Sequence, residues 1–158
     1  MITTQDIYTA LKTRLSTDFS DITNQIKDLK NPERPCIYVE YVESHDREVA
    51  EDTIETNSQF NIVYFSEEQT LLDLTNIEKR LRQSLKKPLS VEYAVSNNES
   101  VIKFLDFTEI ECEVFEDDYI LECSFAFNFL QNADVNNPYD EYENNEIMYE
   151  LDINYKEE

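Results

Sequence analysis

The chain of 158 residues contains no glycine, although ordinary usage would give roughly eleven in this length. Glycine adopts positive φ more readily than any other residue, and phosphate-binding loops need it where the backbone approaches the phosphate. The sequence therefore excludes Walker-type and dinucleotide-binding enzymes. It also means that tight turns are made by other residues, among which asparagine tolerates positive φ better than most.

Two polar pairs are placed to make such turns in the second half of the chain. A turn at Asn97 and Asn98 predicts a hairpin in which paired residue numbers sum to 195: Val91 with Phe104, Tyr93 with Ile102, Val95 with Ser100. A turn at Asp117 and Asp118 predicts a second hairpin with sums of 235: Val114 with Leu121, Cys112 with Cys123, Ile110 with Phe125. Because strand side chains alternate between two faces, one face of these hairpins is apolar and is predicted to be the core: Ile102, Phe104, Ile110, Cys112, Val114, Leu121, Cys123, Phe125, Phe127, Phe129.

Three apolar residues fall on the opposite, polar face of these hairpins: Leu105, Phe107, Phe115. Single exposed aromatic residues are common on protein surfaces and need no explanation. Leu105 and Phe107, however, are neighbours on the same face, which favours a protein interface. Both readings stay open, and the three residues are interface candidates.

Two amphipathic helices are predicted in the first two thirds of the chain. The first spans residues 4–16 and begins at a threonine cap with Asp6 as its acidic partner, and its apolar residues follow helical spacing: Ile7, Leu11, Leu15. The second begins at a Ser66 cap, with Gln69 completing a capping box, and ends before Pro88; its apolar stripe is Leu71, Leu74, Ile77, Leu81, Leu85. The basic residues near its end suit the helix dipole and need no ligand.

Two strands and an acidic excursion lie between the helices. Residues 36–42 and 60–65 are rich in β-branched and aromatic residues, which is typical of strands. Residues 43–56 carry six acidic side chains against Arg47, a net charge of −5. This composition predicts a solvated loop or the projecting tip of a hairpin. Since little else separates the two strands, an antiparallel pair is the economical topology.

The acidic balance of the chain restricts its partners and its chemistry. With 13 basic and 35 acidic residues, the net charge of −22 repels phosphate groups and argues against nucleic acid as a bound partner. No apolar run is long enough to span a membrane, and we expect no export signal and a cytosolic location. The only histidine, His45, lies among acidic residues without a nucleophile or an orienting partner. We find no catalytic, cofactor-binding or metal-binding motif and expect no enzymatic activity.

The three cysteines are predicted to be reduced and buried, because their number is odd and small in a chain expected to be cytosolic. They show no metal-ligand spacing. Cys112 and Cys123 face each other in the predicted register. Counted from the turn, they form a hydrogen-bonded pair, whose wider Cα spacing disfavours a disulfide.

The last part of the chain differs from the rest. Residues 132–158 carry nine acidic side chains against Lys156, a net charge of −8, which leaves −14 for residues 1–131. Within them, residues 147–155 alternate in the pattern of a half-buried strand, and this candidate strand supplies four further interface candidates: Ile147, Tyr149, Leu151, Ile153. We therefore divide the chain into a domain at 1–131 and an acidic arm at 132–158. The strand would complete the chain's own sheet or add to the sheet edge of a neighbouring subunit.

Four segments, taken in order, carry a resemblance to a known family: ERPCIYVEYV, FNIVYF, RLRQSLKKP and CSFAFNFL. With the order of elements and the size of the chain, they make residues 1–131 similar to the tail terminator (tail completion) proteins of long-tailed bacteriophages and phage-derived tail particles. The resemblance is greatest to the small family found in prophages of Gram-positive bacteria.

This resemblance implies an α+β domain of order α-β-β-α-β-β-β, in which two main helices pack on one face of an antiparallel sheet of β-hairpins. It implies a homo-hexameric ring that caps the head-proximal end of the tail tube, ends tube polymerisation and provides the head-joining surface. The implied partners are the tail tube protein and the head–tail connector protein, while DNA passes through the ring without specific binding. The implied location is the bacterial host cytoplasm during assembly, and then the tail of the virion or phage-like particle, with no cofactor and no membrane.

Two alternative functions remain open at the level of sequence. Another head–tail adaptor or tail-tube component would share the same features. From a different class, an acidic DNA-mimic inhibitor would explain the charge of −22 more directly, but it would not require two ordered hairpins or an apolar arm. Under the terminator hypothesis, the expected interfaces are the 43–56 excursion, the patch of Leu105 and Phe107, and the 147–155 strand.

Overall fold

The computed structural model describes residues 1–22 and 32–133. These residues contain two helices and six strands in the order α1 Thr4–Asp18, β1 Cys36–Ala50, β2 Thr53–Phe65, α2 Leu71–Ser84, β3 Leu89–Ser96, β4 Glu99–Leu105, β5 Thr108–Phe115, β6 Ile120–Asn132. The α+β class is confirmed. Four strands follow α2, as the two predicted hairpins require, whereas the order implied by the resemblance has three. Apart from its first two residues, the acidic arm lies outside the described residues.

Four strands form one antiparallel sheet in the order β1-β2-β6-β5, while β3 and β4 form a separate two-stranded ribbon. The antiparallel pairing of β1 with β2 is confirmed, and it runs as far as the pair Ala50 and Thr53. Of the two forms predicted for residues 43–56, the structure therefore has the hairpin tip. Both strands exceed their predicted lengths because ladder hydrogen bonds satisfy the backbone even where the side chains are polar and give no strand signal.

Both helices pack against the same face of the four-stranded sheet, as predicted. Helix α1 begins at the Thr3 cap, with the Asp6 side chain completing the capping box, and buries its predicted apolar stripe. Four of the five predicted stripe residues of α2 are also buried. Strand β6 supplies the centre of the core with alternate side chains, all buried as predicted: Leu121, Cys123, Phe125, Phe127, Phe129.

Helix α2 begins later than predicted. Its cap is Thr70, whose side chain accepts a hydrogen bond from the Asp73 backbone amide at 3.2 Å. Ser66 instead closes the preceding turn by accepting from the Gln69 amide at 3.0 Å. Leu71 is consequently the first residue of the helix and is 50% exposed, rather than part of the buried stripe.

The hairpin of β5 and β6 has the predicted register near its turn. Cys112 pairs with Cys123 and Val114 pairs with Leu121, and Asp117 and Asp118 lie at the centre of a four-residue turn. The predicted pair of Ile110 with Phe125 does not form, because the register shifts between Thr108 and Glu111, where Glu109 adopts a φ of 54°. Ile110 is still packed against the core.

The hairpin of β3 and β4 turns at Asn97 and Asn98 as predicted, but its register is wrong by one residue. A bulge at Val95 makes the paired numbers sum to 194 instead of 195, so Val91 pairs with Lys103. Neither asparagine adopts positive φ, so the turn is not of the primed type whose twist matches that of the strands, and the bulge adds local twist.

A shift of one residue exchanges the two faces of β4. Ile102 and Phe104, which the sequence had placed in the core, are 57% and 68% exposed, whereas Leu105 is buried. The core-facing side of the ribbon is formed instead by Leu89, Val91 and Leu105.

Two arginine side chains join irregular segments to the body of the fold. Arg34 donates hydrogen bonds to the carbonyl oxygens of Ser66 and Asp118, each at 2.9 Å, and thereby ties the entry of β1 to the loops after β2 and before β6. Arg14 of α1 donates to the Ser84 carbonyl at 2.9 Å and the Lys87 carbonyl at 3.3 Å. Both guanidinium groups therefore have a structural role.

Candidate assembly surfaces

The outer sheet face is the side of the four-stranded sheet opposite the helices. Its end near the turn between β5 and β6 carries four glutamates on three strands: Glu40, Glu111, Glu113, Glu122. Glu113 and Glu122 are directly paired across β5 and β6. Burial, together with the charges of Glu40 and Glu113, raises the pKa of Glu122 above its ordinary value. Like charges in direct opposition destabilise a sheet. The negative charge of this face therefore does not contribute to the stability of the fold.

The substitution Glu122→Gln is expected to raise the melting temperature at pH 7. Because its folded-state pKa lies above the unfolded value, the folded protein binds the proton more tightly, and ionisation lowers stability as the pH rises through the folded pKa. The difference between variant and parent should shrink as the pH falls below the ordinary value of 4.5. Thermal unfolding at pH 7 and near pH 4 measures it.

The control for this prediction is Glu99→Gln, which removes a carboxylate opposite Ser96 on the ribbon. This variant should change the melting temperature little at either pH. An equal gain for Glu122→Gln at both pH values, or no gain at all, would contradict the electrostatic explanation.

The hairpin tip, residues 43–56, is largely exposed, and some of its polar side chains pair with one another. Arg47 contacts Glu55 at 2.6 Å, and Thr56 donates to Asp46 at 2.6 Å. His45 lies 3.2 Å from Glu43 with its side chain 69% exposed, as expected for a surface histidine. Within residues 1–22 and 32–133, no group of three or more His, Cys, Asp or Glu side chains is arranged to hold a metal ion.

The ribbon outer face is the solvent-facing side of β3 and β4: Ser90, Glu92, Ala94, Ser100, Ile102, Phe104. It places two large apolar side chains two residues apart on one strand. Sequence reasoning missed this surface because it assumed an unbroken register beyond the asparagine turn. The signal that could have revealed it is Leu89, which finds an apolar partner in Leu105 only when the paired numbers sum to 194.

The interface candidates from the sequence occupy different environments. Leu105 is 3% exposed, so its placement on the polar face was wrong. Phe107 is half-buried, with its ring centroid 5.1 Å from that of Phe125 and 4.9 Å from that of Phe127. The two residues therefore form no surface patch. Phe115 is exposed on the outer sheet face, and four candidates lie outside the described residues: Ile147, Tyr149, Leu151, Ile153.

Two of the basic residues of α2, Arg80 and Arg82, have acidic partners within the described fold. Arg80 forms two hydrogen bonds with the Asp21 carboxylate, at 3.0 and 2.8 Å, and stacks over the ring of Phe19 at 4.6 Å. Arg82 pairs with Glu78 one turn earlier at 3.0 Å.

Cys112 and Cys123 are joined in a disulfide, so the expectation of reduced thiols was wrong for this pair. Their Cα atoms are 4.1 Å apart, which is the close spacing of a non-hydrogen-bonded pair. The turn occupies four residues instead of two, and this exchanges the wide and close positions along the ladder. Cys36 is a free, buried thiol whose pKa is raised by burial.

Two further findings concern the apolarity of the described helices and the similarity of the chain to known proteins. Neither α1 nor α2 combines the length and apolarity needed to cross a membrane. The search among curated proteins found no match. The family model described as phage tail terminator protein matches residues 6–139, which contain nearly all of α1 and every later helix and strand of the described fold. The chain therefore belongs to the phage tail terminator family.

Proposed function

We propose that the protein forms a homo-hexameric ring at the head-proximal end of a phage or phage-like tail tube, where it ends polymerisation and provides the head-joining surface. The observation that carries this proposal is the family match over residues 6–139, which gives the protein a role in phage tail assembly. The proposal adds three details to that role: the ring, its position on the tube, and its contacts with the tail tube protein and the head–tail connector protein.

The distribution of surfaces supports a ring. A closed ring of identical subunits needs two different surfaces on each chain, because its contacts run head to tail. The four-stranded sheet has β1 at one edge and β5 at the other. The β1 edge carries the hairpin tip with its net charge of −5, and the β5 edge ends at the exposed Phe115. We propose these two edges as subunit contacts.

The outer sheet face supports a role beside DNA. Its four glutamates repel phosphate, and a bore lined by such a surface lets DNA pass without binding it. In this arrangement the helices lie away from the bore and the protein acts structurally, without a cofactor. Assembly takes place in the host cytoplasm, and the ring remains in the tail of the finished particle.

The first expected result is that the purified protein shortens tubes grown from its tail tube protein. One ring blocks one growing end, so amounts far below one subunit per tube subunit should suffice. Tube lengths are measured by negative-stain electron microscopy, and native mass spectrometry should give six copies per ring. Unchanged tube lengths, with the protein incorporated along the tubes, would indicate a tube component instead. A monomer that ignores tubes and binds a DNA-processing enzyme would indicate a DNA mimic.

A matched pair of variants tests the hairpin tip. Glu48→Lys with Glu51→Lys changes the charge of residues 43–56 from −5 to −1, and we expect it to weaken the ring. Glu67→Lys with Glu68→Lys makes the same charge change on exposed residues before α2, and it should leave the ring intact. Equal behaviour of the two double variants would remove the tip from the subunit contact.

A further inference from the structure

The ribbon outer face is more apolar than is usual for a sheet face that lies in water. Ile102 and Phe104 are 57% and 68% exposed on the same side of β4, and Ala94 of β3 lies on that side as well. The opposite side of the ribbon already supplies the core. Since both sides of β4 are apolar, the pattern is that of a strand covered on both faces.

A groove runs beside this face, between the ribbon and α1. It has a volume of about 590 Å³, and its walls include Ala10 and Thr13 from the helix and Ala94 and Ile102 from the ribbon. Charged side chains line another part of the groove: Asp6, Arg14, Asp18, Glu92. Phe104, two residues beyond Ile102 on the same side, continues the apolar surface past the groove.

The chain leaves the described fold near the core-facing side of the ribbon, the side on which Lys103 lies. Lys103 of β4 donates to the Leu130 carbonyl of β6 at 2.6 Å, and its ammonium group lies 5.3 Å from the centre of the Phe129 ring. The described residues end three positions later, at Ala133. Residues 134–146 can span up to about 40 Å when extended, so the 147–155 segment can reach the ribbon from its own chain.

We propose that residues 147–155 pack their apolar side on the ribbon outer face and into the adjacent groove of the same chain. Strict alternation places five large side chains on one side of the segment: Ile147, Tyr149, Leu151, Ile153, Tyr155. Glu150 and Asp152 lie on the other side, so the segment brings no charge of its own onto the ribbon. A short covalent connection gives the segment an effective concentration in the millimolar range, which favours its own ribbon over that of another copy. The inference does not depend on ring formation.

The test uses the full chain labelled with ¹³C at the isoleucine δ1 methyl groups, at a concentration where it is monomeric. Contacts should appear in nuclear Overhauser spectra between the Ile102 methyl and tyrosine ring protons. The variant Tyr149→Ser with Leu151→Ser should abolish these contacts and shift the Ile102 methyl resonance. The matched variant Glu150→Ser with Asp152→Ser, on the opposite side of the segment, should retain both. Ile102→Val assigns the resonance.

Three results would overturn the proposal. The first is an Ile102 methyl resonance that is identical in the parent and in Tyr149→Ser with Leu151→Ser. The second is contacts that arise only between differently labelled copies, which would make another subunit's arm the occupant. The third is a response of Ile102 only after tail tube protein is added, which would make the ribbon a tube contact. None of these depends on whether the ring caps a tube, so failure here is distinct from failure of the proposed function.

Discussion

Replacing Phe127 by alanine is expected to lower the free energy of unfolding by about 3–5 kcal/mol. The side chain is fully buried on β6, and its ring lies among those of Phe60, Phe107 and Phe125, at centroid distances of 6.1, 4.9 and 5.6 Å. Truncation removes this contact area and leaves a cavity that the three neighbouring rings can fill only in part. Urea denaturation followed by circular dichroism measures the change.

The matched control is Phe115→Ala, which removes the same side chain from the exposed end of β5. Its expected cost is below about 1 kcal/mol, because surface substitutions change stability little. Similar losses at the two positions would contradict the assignment of the core to the helix-covered face of the sheet.

Replacing Arg34 by methionine is expected to cost about 2–4 kcal/mol. The guanidinium donates to the carbonyl groups of Ser66, Asp118 and Tyr119, and hydrogen bonds from charged donors are worth about 1.5–3 kcal/mol each before relaxation and water recover part of the loss. It also lies over the ring of Phe65, 5.3 Å from the ring centre. Methionine keeps an apolar stem of similar length, so the change isolates the donor groups.

Arg82→Met is the control for this prediction, because Arg82 pairs with Glu78 on the exposed surface of α2. Exposed ion pairs contribute roughly 0–1 kcal/mol. Chemical denaturation of both variants gives the comparison. A loss at Arg34 no larger than the loss at Arg82 would mean that water replaces the guanidinium at those carbonyl groups.

Sequence reasoning located the core where strong local signals agreed. The capping box at Thr3 and the apolar stripe of α1 were predicted because helical spacing and cap chemistry indicate the same helix. The face of β6 was predicted because five alternate apolar residues admit only one inward side. The register of β5 and β6 held near the Asp117 and Asp118 turn, where no irregularity intervenes.

The errors came from backbone irregularities that leave little trace in side-chain patterns. The bulge at Val95 reversed the faces of β4, exchanging the environments of Phe104 and Leu105. Within residues 1–22 and 32–133, the positive φ angles fall at Asp52, Gln69, Glu109 and Tyr119 instead of at Asn97 and Asn98. In this chain without glycine, left-handed backbone conformations fall on residues for which they are sterically unfavourable. Tertiary contacts, not local preference, determine their positions.

The surfaces were harder to predict than the core. The hairpin tip was recognised by its charge, but its strand character depends on pairing that polar residues do not signal. Leu105 and Phe107 were expected at the surface and instead contribute to the core. Three of the four glutamates of the outer sheet face, Glu111, Glu113 and Glu122, lie on one predicted hairpin. Glu40 joins them only through the strand order β1-β2-β6-β5.

The position of the protein on a tail tube tests the central claim most directly. Tubes grown from the tail tube protein, mixed with the purified protein and imaged by electron microscopy, should carry a six-subunit ring at one end only. In tails isolated from particles, a labelled antibody should mark the end that joins the head. Rings at both ends, density along the tube wall, or tubes without bound protein would contradict the terminator role.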